Sequence, residues 1–449
     1  MRRATWWRAT ATVGALALTL AACGDGDDDD TAAEEPEETP AEEEETPMEE
    51  ETPAEDELDI DRPGRDDKLD FGYILPESGP LAFLGAPQIT GVEMAVEDIN
   101  AADGVLGQDV TLASGDEAGD AAIARDTAAR HINAGVDAVI GAAASGMSQE
   151  IIQVLFDNQI VQCSASNTSP AFSDQENNGF YHRTVPPDQA VTPVIVDEVT
   201  ADGHTNVAIA ARADDYGVAL ADLVEAGLQD VGASVAVRQD YDPNATEFSA
   251  EASAITGENP DAVVIVAFGE GATLIRQLIE GGMSADQIYG ADGLFGPTLA
   301  VGDAAVNPDD PGFIEGMKVI GAAGGAEFNE RLNERLPDDQ QGNLIYGGQA
   351  YDCTIAVALA AVAADSADPV DFNDTFNDVV GGEGTECSSY EECVGLLRDG
   401  EQVNYQGASG PLENEGSDPT FGRYAIAQFQ ADGSLEVVGD QDIDLSELE

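Results

Sequence analysis

The sequence has 449 residues, which exceeds the size of one ordinary hydrophobic core, so two lobes are expected. Its 89 acidic and 17 basic residues give a formal net charge of −72, which argues against a nucleic-acid partner because the phosphates would be repelled. A surface this acidic is typical of a protein exposed to high salt, where repulsion between like charges is screened.

The first 22 residues have the features of a bacterial export signal. Three arginines among the first eight residues supply a positive region, and the apolar run Val13–Ala22 is too short to remain as a bilayer-spanning helix. The run ends in Leu-Ala-Ala-Cys at 20–23, which resembles the lipoprotein cleavage motif. Residues 1–22 are therefore expected to be removed and a diacylglycerol attached to Cys23. An ordinary signal peptide with a chance cysteine is the alternative, and Arg2-Arg3 leaves both the general and the twin-arginine export routes open.

Residues 23–67 are dominated by aspartate, glutamate and proline. This segment has almost no aromatic or β-branched residues and cannot bury a core, so it is predicted to be an acidic, disordered tether. Its interpretation is a spacer that lifts the globular part off the membrane. Calcium binding by the aspartate run is disfavoured, because calcium needs a shaped cage of oxygen ligands.

Short apolar strands alternate with amphipathic helices between residues 69 and 163. The predicted strands are Leu69–Leu75, Val110–Ala113, Asp137–Gly141 and Ile160–Cys163, and the predicted helices are Gln88–Ile99, Asp120–Asn133 and Gln149–Asn158. Evenly spaced strands and helices of this kind predict a doubly wound parallel sheet.

Two neighbouring strands of this series end in loops of small polar residues. The sequence ASGMS (144–148) follows the third strand and SASNTS (164–169) follows the fourth. Because ligands bind beyond the carboxyl ends of parallel strands, these loops predict a site rich in hydroxyl and N–H groups. Ser148 is expected to cap the helix Gln149–Asn158, whose N-terminus favours an anion such as a small carboxylate.

A second βα series follows the break at Pro186-Pro187. Its predicted strands are Val207–Ala211, Ser234–Gln239, Ala262–Ala267 and Gln287–Tyr289, and its predicted helices are Gln189–Thr200, Val218–Gln229, Glu247–Thr256 and Thr273–Gly281. Two α/β lobes of similar build imply a cleft between them, where ligands commonly bind.

Four cysteines besides Cys23 suggest two disulfides in an exported protein. Cys387 and Cys393 lie in the sequence CSSYEEC, in which Ser388 and Glu391 have the spacing of a capping box. The two cysteines would be too far apart inside one helix, so Cys387 must precede the cap and fold back. Free thiols are the alternative.

Cys163 and Cys353 then remain as a second pair by elimination. A metal site is not indicated, since the sequence has no CxxC motif and only three scattered histidines, of which His182 is expected to be structural. No histidine is placed by the sequence to activate Cys163, and there is neither a P-loop nor a GxGxxG motif after the first strand. These absences argue against an enzyme, and no cofactor is expected.

Several segments resemble the leucine/isoleucine/valine-binding proteins, which are type I extracytoplasmic solute-binding proteins of ABC importers. The segments are SGPLAFLG (78–85), GVEMAVEDIN (91–100), TSPAF (168–172), DDYG (214–217), LIRQL (274–278) and YGGQAYD (346–352). The resemblance covers residues 68–449.

This resemblance implies two Rossmann-like lobes joined by three hinge crossovers, near 183–186, 315–320 and 407–412. The N-lobe would comprise 68–184 and 319–409, and the C-lobe 185–318 and 410–449.

The same resemblance implies roles for individual residues. Ser145 and Thr168, with the backbone around Ser166, are similar to the groups that hold the α-carboxylate of the ligand. Tyr216 resembles the tyrosine that closes over the ligand. Asp292 stands where the family usually has a glutamate for the α-ammonium, and one carboxylate suits one ammonium.

Two departures leave the ligand side chain open. Family members often have an aromatic residue near Leu84, and Phe268 lacks the hydroxyl that its position suggests.

The expected ligand is a small amino acid, branched-chain or another apolar one, that is passed to the permease subunits of an ABC importer. A monomer is expected, held at the outer face of the membrane through the lipid on Cys23. Urea, a short amide, an aromatic acid and a sensory ligand-binding module remain alternatives; the lack of a second membrane span or an output domain disfavours the sensory module.

Overall fold

The computed structural model describes residues 66–173, 179–302, 304–338 and 340–447. The predicted signal peptide, Cys23 and nearly all of the predicted tether lie outside these ranges. None of the helices in the described ranges combines the length and apolar character that a bilayer span requires.

The first sheet has five parallel strands: β1 (Asp70–Ile74), β2 (Thr111–Ala113), β3 (Ala138–Gly141), β4 (Val161–Ser164) and β5 (Tyr181–Arg183). Their spatial order is β2-β1-β3-β4-β5, and every pair is parallel. The connecting helices are α1 (Ala82–Ala101), α2 (Ala121–Ala134) and α3 (Ser145–Asp157). Strands β3 and β4 are completely buried, as expected for parallel strands covered on both faces.

Helix α1 begins earlier than the sequence predicts. The predicted start is Gln88, whereas the helix starts at Ala82 and contains Pro87. Proline has no N–H for the carbonyl of Phe83, four residues earlier, and the side-chain amide of Asn343 donates to that carbonyl instead. Leu84 therefore lies on a helix rather than in a loop.

Helix α3 also starts earlier than predicted, at Ser145 rather than Gln149. Ser148 is consequently not its cap. The Ser148 hydroxyl donates to the carbonyl of Ala142 at 3.2 Å from inside the first helical turns. The small polar loop is shorter than the sequence suggests, and Ser145 is the first residue of the helix.

The second sheet has seven strands: β6 (Asn206–Arg212), β7 (Ser234–Tyr241), β8 (Ala262–Val266), β9 (Ile288–Gly290), β10 (Lys318–Ala322), β16 (Phe421–Phe429) and β17 (Leu435–Asp444). Helices α4 (Asp188–Ala201), α5 (Asp215–Asp230), α6 (Ser249–Gly257) and α7 (Gly271–Glu280) belong to it. The order is β17-β16-β10-β9-β8-β6-β7.

Strands β16 and β17 correct the expectation of a purely parallel second unit. β16 pairs antiparallel with both β10 and β17, whereas β6 to β10 form parallel pairs. The antiparallel partner β16 begins about 100 positions after the end of β10, so local periodicity could not place it.

The remaining elements are helices α8 (Ala326–Arg335), α9 (Gly347–Ala363), α10 (Pro369–Asn373), α11 (Phe376–Val380) and α12 (Tyr390–Arg398), and the short strands β11 (Thr385–Cys387), β12 (Val403–Gly407), β13 (Gly410–Pro411), β14 (Asn414–Glu415) and β15 (Asp418–Pro419). Helix α9 is buried along almost its whole length and packs against α1 and the first sheet.

The chain passes between the two sheets after β5, after β10 and before β16. β10 stays in the seven-stranded sheet up to Ala322, and the chain rejoins that sheet at Phe421. These positions lie 4 and 11 residues beyond the boundaries at 319 and 410 that the family resemblance implies. Separate apolar clusters surround the two sheets.

Candidate functional site

Two loops lie side by side at the carboxyl ends of β3 and β4. The Ser166 hydroxyl in the second loop donates to the carbonyl of Ala143 in the first at 3.0 Å. The Asn167 side-chain amide donates to the carbonyls of Ala142 and Ala143 at 3.1 and 2.9 Å. These bonds fix the two loops relative to each other, so that they form one polar surface at the edge of the sheet.

Arg183 holds the second loop from the side of β5. Its fully buried guanidinium donates to the carbonyls of Asn167 and Ser169 at 2.8 and 3.0 Å, and it forms an ion pair with Asp418 at 2.7 Å. Thr168 therefore lies between two anchored peptide groups. Its hydroxyl is buried and has no hydrogen-bond partner within the part of the chain that the structure describes.

Glu117 holds the first loop. Its carboxyl group accepts hydrogen bonds from the N–H groups of Ala143 and Ala144 at 2.8 and 3.3 Å. The side chain is fully buried, and burial raises the pKa of Glu117 to about 8, while the two N–H groups act in the opposite direction. Glu117 is thus an anchor for the loop that precedes Ser145.

Three further candidate residues follow strands of the second sheet. Tyr216 follows β6, Phe268 follows β8 and Asp292 follows β9. The rings of Tyr216 and Phe268 are stacked, with centroids 5.2 Å apart and an angle of 11° between their planes. The guanidinium of Arg212 lies 3.6 Å from the centroid of the Phe268 ring. The stacked aromatic pair lies beside the carboxyl group of Asp292, to which the Tyr216 hydroxyl donates.

Asp292 accepts hydrogen bonds from two tyrosines. The Tyr216 hydroxyl donates to one carboxylate oxygen and the Tyr346 hydroxyl to the other. Asp292 is 7% exposed, and burial raises its pKa, whereas both tyrosine hydroxyls lower it. Tyr346 immediately precedes α9, which packs against the first sheet, whereas Asp292 follows β9 of the second sheet. The hydrogen bond between them therefore joins the two sheets' halves of the molecule.

Asp188 is a second buried carboxyl group close to Asp292. It is the first residue of α4 and is 0% exposed, and neither carboxyl oxygen has a hydrogen-bond partner among the described residues. Burial and the charge of Asp292 raise the pKa of Asp188 to about 8, against the effects of Thr168 and Arg183. The backbone N–H of Asp188 donates to the carbonyl of Thr168 at 2.8 Å, which places this carboxyl beside the second loop.

These residues enclose a small pocket between the two sheets. Its lining comprises Leu81, Leu84, Ala143, Ala144, Ser145, Ser166, Tyr216, Phe268, Asp292 and Tyr346. The pocket has a volume of about 10 Å³, which is room for about one water molecule, and open cavities of about 380 and 490 Å³ adjoin it. The hydroxyl groups of the loops after β3 and β4 suit an anion, and the buried carboxyl group of Asp292 after β9 suits a cation.

Comparison with known proteins identifies the family. The profile of the periplasmic binding proteins matches residues 68–383. The chain belongs to the periplasmic binding protein family. Proteins of this family bind solutes outside the cytoplasm rather than transform them. The family fold, with two lobes of the type I arrangement, agrees with the two sheets described above.

Among relatives of this periplasmic binding protein is a Leu/Ile/Val-binding protein of Rhizobium johnstonii, 30% identical over 230 residues. The match covers 50% of this chain and 62% of the relative, less than two thirds of its length.

Two solved structures share the fold. A leucine-binding protein of Thermotoga maritima has a TM-score of 0.68 at 21% identity, with 84% of this chain and 99% of that chain covered. A solute-binding protein of Rhodopseudomonas palustris in complex with 4-hydroxybenzoate has a TM-score of 0.66 at 16% identity, with 84% and 97% covered.

Six of the seven residues predicted to contact ligand line the pocket of this periplasmic binding protein: Leu84, Ser145, Ser166, Tyr216, Phe268 and Asp292. Thr168 does not line the pocket. It lies in the same loop as Ser166, which does, and its carbonyl accepts a hydrogen bond from the N–H of Asp188. The residues come from both sheets, as a site between two lobes requires.

Both predicted disulfides are present. Cys163 in β4 is bonded to Cys353 in α9, across 190 residues of sequence, and Cys387 is bonded to Cys393. Cys387 ends strand β11 before the helix begins, as predicted. The helix cap is Ser389, one residue later than predicted, because its hydroxyl accepts from the N–H of Glu392 at 3.3 Å.

His182 has a structural environment. Its ring nitrogen is 2.9 Å from the side-chain oxygen of Asn373, and its ring stacks on Phe376. Burial lowers the pKa of His182 to about 4, so the ring is neutral at physiological pH. The described residues contain no cluster of three or more side chains suited to a metal ion.

The sequence reasoning missed Tyr346, Asp188 and Glu117. Tyr346 begins the segment YGGQAYD, which carried part of the family resemblance and was the available signal. Asp188 follows two prolines and has the pattern of an ordinary helix start. Glu117 lies in a Gly-Asp-Glu turn, and nothing local indicates that it points under a loop 26 residues away.

Proposed function

We propose that this protein is an extracytoplasmic solute-binding lipoprotein that captures a small apolar amino acid and delivers it to an ABC permease. Branched-chain amino acids are the first candidates for the ligand. The observation that carries the proposal is the division of the pocket. Neutral hydroxyl and N–H groups after β3 and β4 lie on one side, and the buried Asp292 after β9 lies on the other. This arrangement complements the two charged groups of a zwitterionic amino acid.

Ser145, Ser166 and Thr168 would receive the α-carboxylate. Neutral donors suit a ligand that must also be released, because they hold an anion without a fixed opposite charge. Asp292 would receive the ammonium, with Tyr216 closing over the ligand. Leu84 and Phe268 would contact the ligand side chain, and their apolar surfaces favour an aliphatic or aromatic group over a charged one.

We further propose that the two sheets with their helices are lobes that move about three hinge segments. The boundaries expected from the sequence are 68–184 with 319–409 for one lobe and 185–318 with 410–449 for the other. We move two of the crossovers, so that one follows Ala322 at the end of β10 and the other precedes Phe421 at the start of β16. A pocket of about 10 Å³ is too small for leucine, so the lobes must separate for the ligand to enter. Ligand contacts from both lobes would then favour the closed state, which the permease would recognise.

The proposed membrane attachment rests on the sequence around Cys23. Replacing Cys23 with serine should release the protein from the membrane fraction, and mass spectrometry of the mature N-terminus should find a lipid on Cys23 in the parent protein. An unmodified N-terminus at another position would contradict the lipoprotein proposal.

The ligand assignment is tested by calorimetric titration of the folded protein with leucine, isoleucine and valine at high and low salt. Two leucine analogues serve as controls: 4-methylpentanoate lacks the ammonium, and leucinamide lacks the carboxylate. Leucine should bind at least 100-fold more tightly than either analogue, since each leaves a buried charged or polar group unpaired. If none of leucine, isoleucine and valine binds, the proposal is contradicted.

An aromatic acid is the second candidate, because a protein of the same fold binds 4-hydroxybenzoate. The stacked Tyr216 and Phe268 would suit a ring. However, 4-hydroxybenzoate has no positive charge to pair with Asp292 or Asp188, and its phenol hydroxyl is the one neutral donor that it could offer them. Tighter binding of 4-hydroxybenzoate than of leucine in the same titration would favour this candidate.

A further inference from the structure

Two carboxyl groups, those of Asp188 and Asp292, are buried in one region without a basic partner of their own. The side chains that act on them come from several elements: Thr168 from the second loop, Arg183 from β5, Tyr216 from α5, Tyr346 from the segment before α9, and Tyr424 from β16. Only Arg183 among these carries a positive charge.

The charge of Arg183 is already committed elsewhere. Its guanidinium pairs with Asp418 at 2.7 Å and donates to two backbone carbonyls and to the Ser173 hydroxyl. Its charge is therefore shared with Asp418, and its lowering effect on the pKa of Asp188 is smaller than the raising effects of burial and of Asp292. The tyrosine hydroxyls are neutral near pH 7, because burial raises the pKa of each of them further above its ordinary value.

Two neighbouring carboxylates that are both buried cannot both ionise without a compensating cation. Desolvation disfavours each charge, and the two charges repel each other, so such a pair retains one proton between them to a higher pH than either would alone. Burial and the charge of Asp292 raise the pKa of Asp188 to about 8, in the direction that this argument requires.

Resting on the proposed function, we propose that the empty site holds one proton on the Asp188–Asp292 pair and that the ligand ammonium replaces it, so that binding releases about one proton. No covalent bond forms or breaks other than the carboxyl O–H. The proton passes to the solvent, and the freed carboxylate interacts with an N–H of the ligand. The carboxyl pair together with the ammonium has one net negative charge, as the singly protonated pair has before the exchange, and the ligand carboxylate brings its own charge to the loops after β3 and β4.

Proton competition gives a defined pH dependence. Below the apparent pKa of the pair, each unit of rising pH removes competing protons, so the dissociation constant for leucine falls by up to tenfold per pH unit. Above that pKa the affinity levels off. An exchange of this kind makes acidification a release signal for the ligand.

Glu117 is another buried carboxyl group near the pocket, and its effect on ligand binding would be proton uptake rather than proton release. It lies behind the N–H groups of Ala143 and Ala144, on the side of the proposed carboxylate cradle. A ligand carboxylate placed there would strengthen proton binding by Glu117, so its contribution would be proton uptake. The net sign therefore distinguishes the two sources.

The test is calorimetric titration of leucine at pH 7 in phosphate and in Tris buffer, which differ in their heats of protonation. The difference in observed heat gives the protons exchanged, and about one released per leucine is expected. Asp188→Asn should bring the release close to zero and flatten the pH profile of the dissociation constant between pH 6 and 8. Asp197→Asn, on the exposed face of the same helix, should behave as the parent.

Asp188→Asn keeps the shape of the side chain and removes its charge, and Thr168 is the one side chain that contributes a hydrogen bond to the pKa of Asp188. A measurement on the parent protein keeps the inference testable should the variant not fold. Infrared difference spectra should show that the carbonyl band of a protonated carboxyl group disappears when leucine is added.

Leucine binding with equal heats in both buffers would overturn the inference and leave the proposed function intact. Net proton uptake would also overturn it and would point to Glu117. Failure of leucine, isoleucine and valine to bind in any buffer would overturn the proposed function and, with it, this inference.

Discussion

The Tyr346 hydroxyl donates a hydrogen bond to the carboxylate of Asp292, and this bond links the segment before α9 to the carboxyl end of β9. The first sheet packs against α9 and the second sheet contains β9, so the contact crosses the cleft. The residue proposed to receive the ligand ammonium is therefore also part of the contact between the two halves.

Asp292→Asn should weaken leucine binding by about 2–5 kcal/mol, because an ammonium would then be buried without its charged partner. Calorimetric titration measures the loss, and Asp286→Asn, an exposed carboxylate in the preceding turn, is the matched control. Unchanged affinity of Asp292→Asn for leucine would refute the amino-acid assignment.

Tyr346→Phe removes one hydroxyl and keeps the ring. Hydrogen bonds to charged groups contribute about 1.5–3 kcal/mol, so leucine binding should weaken about tenfold or more. The Tyr346→Phe/Asp292→Asn double variant should lose much less than the sum of the two single losses, since both remove the same interaction. Additive losses would show that Tyr346 acts independently of Asp292.

Thr168→Val should weaken binding of leucine by about 1–3 kcal/mol, because the carboxylate loses one donor in a buried setting. Leucinamide, which has no carboxylate, should be much less affected. Thr200→Val near the end of α4 is the control for the substitution itself. Equal losses for leucine and leucinamide would contradict a carboxylate role for Thr168.

Loss of the Cys163–Cys353 disulfide should destabilise the protein more than loss of Cys387–Cys393. The two bonds span sequence separations of 190 and 6 residues. On the chain-entropy estimate they contribute about 5 and about 2 kcal/mol to the free energy of unfolding. Urea unfolding of the two double-alanine variants measures the difference, and the reverse order would contradict the estimate.

The free energy of unfolding should fall as the pH rises from about 4 to 8. Burial raises the pKa of both Glu117 and Asp188 to about 8, so the folded state keeps protons that the unfolded chain loses near its ordinary pKa of about 4. Each group favours folding fully below pH 4, and the effect is lost by up to about 1.4 kcal/mol per pH unit until its folded pKa is passed.

Urea unfolding between pH 5 and 8, at constant high salt, measures this slope. Glu117→Gln should make the slope shallower by the contribution of one group. Glu150→Gln, an exposed carboxylate on α3, should leave it unchanged. A slope that is identical in Glu117→Gln and the parent would show that Glu117 does not hold a proton in the folded state.

Much of the fold was predictable, because strands such as β8 (AVVIV) are continuous buried runs and helices such as α3 are amphipathic. The positions of Ser145, Tyr216 and Asp292 could be predicted from strand ends together with the family resemblance. The start of α1 could not, because Pro87 suggests a break, and the carbonyl of Phe83 that Pro87 leaves free accepts from Asn343, more than 250 residues later.

The sequence by itself determined the order of strands and helices, the polar loops at their carboxyl ends and the number of cysteines available to pair. Local periodicity and residue chemistry encode these features. The tertiary structure decided which distant groups meet: Tyr346 with Asp292, Asp188 with the carbonyl of Thr168, and Glu117 with the Ala143–Ala144 amides. These encounters depend on how two sheets pack through three chain crossings, and shared burial of the two carboxyl groups arises only there.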